Sequence, residues 1–150
     1  MNEPVTKSAV RDVSHPLIDR LLNEFGYDEV TLANHDEFVA RTGMNVLFFP
    51  GDPSTVRDAT DVAVVLPELV AAFDGQLQPG VVTDVFGDGL ELKRRYGFTE
   101  YPALVFVRSG EYVGTMTRIR DWSEYLEDIP KLFTTEPKRA PGFSIPVVAG

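Results

Sequence analysis

The sequence predicts a single α/β domain of three layers, with helices on both faces of a mixed central sheet. Apolar runs without alternation at 46–49, 81–86 and 103–107 read as strands buried on both faces. Segments with helical periodicity separate them. A tight turn at Arg108-Ser109-Gly110-Glu111 joins the third run to another strand at 112–119, an antiparallel step that mixes the sheet. A chain of 150 residues, 43% hydrophobic and 11% aromatic, can bury such a core unaided.

The elements follow in order. After a polar leader, Ser14-His15-Pro16 opens a helix whose apolar residues Leu17, Ile18, Leu21, Leu22 and Phe25 share one face, with Gly26 as its stop. An extended piece at 29–32 leads to Asn34, placed to cap a short helix with Glu37 at the capping-box position and an end near Gly43. The strand at 46–49 breaks at Pro50-Gly51-Asp52-Pro53. Residues 62–73 make a mostly apolar helix that Pro67 should kink and Gly75 closes. The strand at 81–86 turns through Gly87-Asp88-Gly89 into a helix ending at Tyr96. Asp121 caps the last helix with Glu124 three residues on, and Trp122, Tyr125, Leu126 and Ile129 form its inward face. Beyond Phe133 the prolines 137, 141 and 146 and the lack of a helical period predict an extended or disordered tail. The expected organisation is a domain at 1–133, including the N-terminal helix, and a tail at 134–150.

Composition excludes several chemistries. With no cysteine, the chain cannot perform dithiol exchange, thiolate attack, iron–sulfur ligation or zinc–thiolate binding. A formal charge of −9 disfavours the phosphate contacts of nucleic-acid binding and suits a basic partner, although acidity also serves solubility. The apolar runs are too short to span a bilayer, and residues 1–11 lack the order of an export signal, so no membrane insertion and a cytoplasmic location are expected. His15 and His35 have no ligand-spaced partner and stand at helix starts, so no metal is assigned. Ser54 lies in no nucleophile elbow and Gly87-Asp88-Gly89 is too short for a phosphate loop. No catalytic residue and no cofactor are expected, and Lys93-Arg94-Arg95 reads as a solvated helix face.

One stretch carries a family resemblance. Arg95-Tyr96-Gly97-Phe98-Thr99-Glu100-Tyr101-Pro102 leads into the apolar run 103–107 and the Ser109-Gly110-Glu111 hairpin. This resembles the second half of thioredoxin, where a Tyr-Gly-apolar helix end precedes a cis-proline that opens a strand, then a Gly-Glu hairpin. Pro102 stands at the cis-proline position, and Pro67 where thioredoxin's kinked helix has its proline. The resemblance covers about 29–133 and implies a thioredoxin-like fold. Where thioredoxin has Trp-Cys-Gly-Pro-Cys, this chain has a longer, acidic, cysteine-free loop from Pro50 to Asp61. With the N-terminal helix and the Phe98-Thr99-Glu100-Tyr101-Pro102 stretch, this is similar to the HupG/HyaE family of hydrogenase expression accessory proteins. The resemblance implies a redox-inactive, non-enzymatic cytoplasmic chaperone that binds the twin-arginine signal peptide of a nickel–iron hydrogenase small-subunit precursor before export. Other hydrogenase accessory proteins are further candidate partners. The alternative is a general redox-inactive thioredoxin-like adaptor that binds peptides.

Thioredoxin-like domains bind extended peptides beside the residue before the cis-proline, so Tyr101 is the candidate to offer backbone N–H and C=O to an added strand, with Pro102 fixing the site. Asp52, Asp58, Asp61 and Glu100 are candidates to receive guanidinium groups. Asp52 and Asp58 read equally well as turn and cap residues, and Asp61 as a helix cap. Pro50 and Tyr101 could offer apolar surface to a hydrophobic stretch, with Phe49 assigned to the core.

Overall fold

The computed structural model describes residues 14–143; the polar leader at 1–11 and Pro146 lie outside the described residues. The elements are α1 (Pro16–Asn23), β1 (Asp28–Glu29), α2 (His35–Val39), β2 (Met44–Phe49), α3 (Ala59–Ala72), β3 (Leu77–Val81), α4 (Asp88–Tyr96), β4 (Ala103–Arg108), β5 (Glu111–Thr117), α5 (Trp122–Leu132) and a 3-10 turn (Pro141–Phe143). The sheet order is β1-β3-β2-β4-β5. β1, β3 and β2 are parallel, and β4 runs antiparallel to both β2 and β5. With the cis Tyr101–Pro102 bond just before β4, this is a thioredoxin-like fold.

Strand burial follows from alternation. All six residues of β2 are buried. Val46 and Phe48 point into the layer holding α1, α3 and α5, while Leu47 and Phe49 point into the layer holding α2 and α4. β4 repeats this division, Leu104 and Phe106 on one side and Val105 and Val107 on the other. An unalternating apolar run is therefore the pattern of a strand with a helix layer on each face. The β4–β5 hairpin turns on Ser109 and Gly110, both at positive φ (49° and 88°), as a two-residue primed turn requires.

Several expectations are corrected. β3 ends where the predicted strand begins: its residues are 77–81, and 82–86 form a loop. Pro79 is tolerated inside β3 for a geometric reason. Val81 C=O accepts from Val30 N–H at 2.8 Å and Val82 N–H donates to Phe48 C=O at 2.9 Å, so Val81 faces β1 and Val82 faces β2. By alternation Pro79 faces the β1 side, below the level where β1 pairs, and needs no N–H there. The helix α3 starts at Ala59 and runs on through Pro67. Asn34 does not cap α2; its side-chain oxygen accepts from Thr31 N–H at 2.8 Å and its Nδ2 donates to Glu29 C=O at 2.9 Å, bracing the preceding loop. On α5 the capping-box contact forms, with Asp121 N–H donating to Glu124 Oε1 at 3.1 Å, but Trp122 and Leu126 are exposed and only Tyr125 and Ile129 of the predicted face are buried. α1 ends at Asn23, leaving Phe25 exposed.

Candidate functional site

The loop after β2, the α3 N-terminus and the segment before β4 meet at one end of the sheet. Gly51, at φ +76°, lets the loop turn directly beneath Tyr101, and a Cβ there would lie 2.7 Å from Tyr101 Cγ. The Tyr101 ring also meets Phe98 edge-on at 5.9 Å, and Lys93 Nζ sits 4.7 Å above it. Burial raises the pKa of its phenol. Pro102 is buried, and its C=O accepts from Arg118 N–H at 2.6 Å, closing the strand start. Neither N–H nor C=O of Tyr101 has a hydrogen-bond partner among the described residues. A backbone pair of this kind at a strand start can accept one rung of an added strand.

The carboxylates divide. Asp52 Oδ1 accepts from Ser54 N–H at 2.9 Å and Ser54 Oγ at 2.7 Å, while Asp52 C=O accepts from Val56 N–H at 2.8 Å, so this side chain builds the turn. Asp58 occupies the N-cap position of α3 without a side-chain cap bond. Its charge acts on the Tyr125 hydroxyl, whose pKa is raised chiefly by burial and further by Glu124 and Asp58. Asp61 is exposed in the first turn of α3, where the helix dipole favours an anion. Glu100 is exposed, 3.9 Å from Arg118 Nη1. Tyr101, Pro102 and Glu100 thus adjoin the Pro50-Gly51 turn, with Asp58 and Asp61 at the head of α3.

A groove of about 220 Å³ runs between this turn and α1, its apolar walls formed by Ile18, Leu22, Pro50, Pro53 and Val85. Three participants escaped the sequence reading: Gly51, Lys93 and Arg118. The Pro-Gly-Asp-Pro turn signalled the first. No local signal marks the two cations, because their placement depends on how α4 and β5 dock. Among the described residues no group of His, Asp or Glu could hold a metal, and no helix is long and apolar enough to cross a membrane. His15 caps α1 through Nδ1, which accepts from Leu17 N–H at 3.1 Å. His35 opens α2, with Nε2 2.7 Å from Tyr96 Oη and Nδ1 2.8 Å from Asp36 Oδ1.

Comparison with known proteins adds family to geometry. The family model described as hydrogenase-1 expression protein HyaE matches residues 17–125. The hydrogenase expression/formation protein HoxO of Azotobacter vinelandii is 43% identical over 135 residues, spanning 90% of this chain and 88% of its own. HupG of Bradyrhizobium diazoefficiens, a hydrogenase expression/formation protein, is 38% identical over 131 residues, 85% of this chain and 87% of its own. The crystal structure of a protein assigned as HupG from Rhodopseudomonas palustris aligns at 36% identity over 71% of this chain and 95% of its own, with a TM-score of 0.49. A designed protein shares the fold at 19% identity and a TM-score of 0.57, over 71% and 90% of the two chains.

Proposed function

The chain belongs to the HyaE family of hydrogenase expression proteins, and from that premise we propose that it acts in hydrogenase formation as a non-enzymatic chaperone. It holds the twin-arginine signal peptide of the small-subunit precursor before export, and so works in the cytoplasm. The observation that carries this reading is the unpartnered backbone of Tyr101, beside an acidic helix start. Backbone pairing there gives grip without sequence preference. Selectivity for arginines then comes from Asp58, Asp61 and Glu100, whose oxygens suit guanidinium forks, and the apolar wall of Pro50 and Tyr101 takes the hydrophobic stretch that follows. Asp52 contributes less, since its side chain is held by Ser54. The absence of cysteine supports a binding rather than a redox role.

Surface ion pairs contribute about 0–1 kcal/mol each, so no single carboxylate dominates. Isothermal titration of the full chain with a small-subunit signal peptide tests the reading. Asp58→Lys with Asp61→Lys should weaken binding by about tenfold and flatten its salt dependence, because two attractive charges become repulsive. Unchanged affinity in that double variant would remove these carboxylates from the site.

A further inference from the structure

Residues 134–143 leave α5 at the Arg108 end of β4 and run past β5 to the end of α4. Arg108 holds the beginning of this segment, its guanidinium donating to Leu132 C=O at 2.7 Å and Thr135 C=O at 2.8 Å. Lys138 N–H donates to Tyr112 C=O at 2.9 Å, one rung on the outer edge of β5. Ala140 is 2% exposed. Gly142 presses on the last turn of α4 so closely that a Cβ would lie 1.9 Å from Arg94 C=O. Between the segment, α2 and the β4–β5 turn lies a cleft of about 720 Å³, whose walls include Val39, Val107, Tyr96 and Tyr112. That size is within the range of ligand sites.

The seating is made by backbone and small residues, whereas the cations of the segment are left over. Lys138 and Arg139 are exposed and form no ion pair among the described residues, although the carboxylates of Asp36 and Glu111 line the same cleft. Glu111 has no ion pair among the described residues, and the Asp36 side chain is 93% exposed. The edge of β5 is only partly covered, since Lys138 N–H is the one backbone donor of the segment that pairs with β5 among the described residues.

We infer that the outer edge of β5 and the cleft beside it form a groove for an extended basic segment of a partner protein, that residues 137–142 occupy its β5 side as one wall, and that the partner enters by displacing them. The resident shows what the groove accepts: an extended backbone that pairs with Tyr112 and a small residue in the Ala140 position. The acidic rim shows what it leaves unused. A tethered segment competes at millimolar effective concentration, which excludes a free copy of itself. A partner segment overcomes that advantage by placing its cations against Asp36 and Glu111 and by extending the pairing along β5. Because it uses neither the Tyr101 backbone nor the carboxylates at the head of α3, this inference does not rest on the signal-peptide reading.

The test uses the full chain and, as probe, a synthetic peptide of residues 134–143. Two variants release the resident independently: Gly142→Val by its collision with Arg94 C=O, and Ala140→Asp by placing a carboxylate in an apolar seat. Each should remove hydrogen-exchange protection from the Lys138 amide and bind the peptide at least about tenfold more tightly than the wild type, as expected when tethered competition is lost. Adding Asp36→Lys and Glu111→Lys should abolish that gain. Equal peptide binding by wild type and both released variants would overturn the inference. So would a Lys138 amide that stays protected in both variants, or a gain in binding that survives the two charge reversals.

Discussion

Gly51 lies directly under Tyr101, so close that a methyl group in place of its hydrogen would stand 2.7 Å from Tyr101 Cγ. The contact joins the cysteine-free loop to the residue before the cis-proline. It fixes the height of the Tyr101 ring over the loop, and with it the position of the free Tyr101 backbone groups.

Gly51→Ala should therefore destabilise the fold and disturb the candidate site together. Gly51 combines a left-handed φ of +76° with a setting in which an added Cβ would lie under 3 Å from both Tyr101 and Val56, whereas a Cβ added at Gly26, at φ +71°, would have nothing within 4 Å. The comparison separates backbone strain from crowding. Gly26→Ala should cost about 1–2 kcal/mol from the left-handed conformation alone. Gly51→Ala should add about 1–3 kcal/mol of overpacking. Urea denaturation of both variants checks the difference, and equal losses would show that Tyr101 yields freely.

Lys93 opposes the charge preference proposed for the site. Its Nζ lies over the Tyr101 ring at 4.7 Å, so an incoming arginine meets a cation beside the strand start. Lys93→Met should lower stability by up to about 1 kcal/mol through loss of the cation–π contact. It should also raise affinity for a basic peptide by up to about fivefold, the scale of one exposed charge. Titration calorimetry at low and moderate salt measures the gain, which should shrink as salt rises.

What could be read in the sequence follows from how local each signal is. β2 and β4 were legible because a strand enclosed by two helix layers is apolar on both faces over most of its length, as 46–49 and 103–107 are. β3 was displaced because Pro79 and Gly80 look like breakers unless it is known that Pro79 faces the short side of β1. Trp122 and Leu126 show that helical periodicity marks an apolar stripe without telling how much of it a neighbour covers. At the site, the cis Tyr101–Pro102 bond was legible because the helix end before it and the strand and hairpin after it are local signals. Asp52 admitted two readings until Ser54 was seen to occupy its carboxylate. Lys93 read as a solvated residue because its contact with Tyr101 depends on the docking of α4, which no residue spacing specifies.

Alkaline pH should unfold this protein earlier than its carboxylates alone would suggest. Burial raises the phenol pKa values of Tyr27, Tyr96, Tyr101 and Tyr125 above the ordinary value of 10.0, and the Asp36 charge adds to the effect at Tyr96. Above that value the unfolded chain releases protons that the folded chain retains, so stability falls with rising pH. The stability is fully present below about pH 10 and is lost as pH climbs towards the folded values, at no more than about 1.4 kcal/mol per pH unit for each tyrosine. Tyr96→Phe should lower stability at neutral pH, because His35 Nε2 loses its partner at 2.7 Å, and should make the alkaline decline shallower. Denaturation midpoints across this range, followed alongside tyrosinate absorbance, check both effects.

Asn45 offers the sharpest test of the core. It is 0% exposed, and its Nδ2 donates to Val39 C=O at 3.0 Å, Arg41 C=O at 2.9 Å and Val107 C=O at 3.2 Å, tying the end of α2 to β4. Its Oδ1 has no partner among the described residues. Asn45→Asp keeps the shape but replaces a donor by a carboxylate facing three carbonyl oxygens. At neutral pH this should cost at least about 3–5 kcal/mol, the scale of an uncompensated buried charge. Asn45→Ala should cost less, about 1–3 kcal/mol, because it leaves carbonyls unsatisfied without adding charge. The two variants should also differ in pH dependence. Burial among carbonyls raises the folded pKa of an aspartate at position 45, so the folded state binds a proton that the unfolded state has already released, and stability recovers as pH falls. Urea denaturation of both variants at neutral and mildly acidic pH measures the gap. It should narrow on acidification, and a gap that stays constant would mean that the carboxylate has escaped to water and that position 45 does not hold α2 to β4.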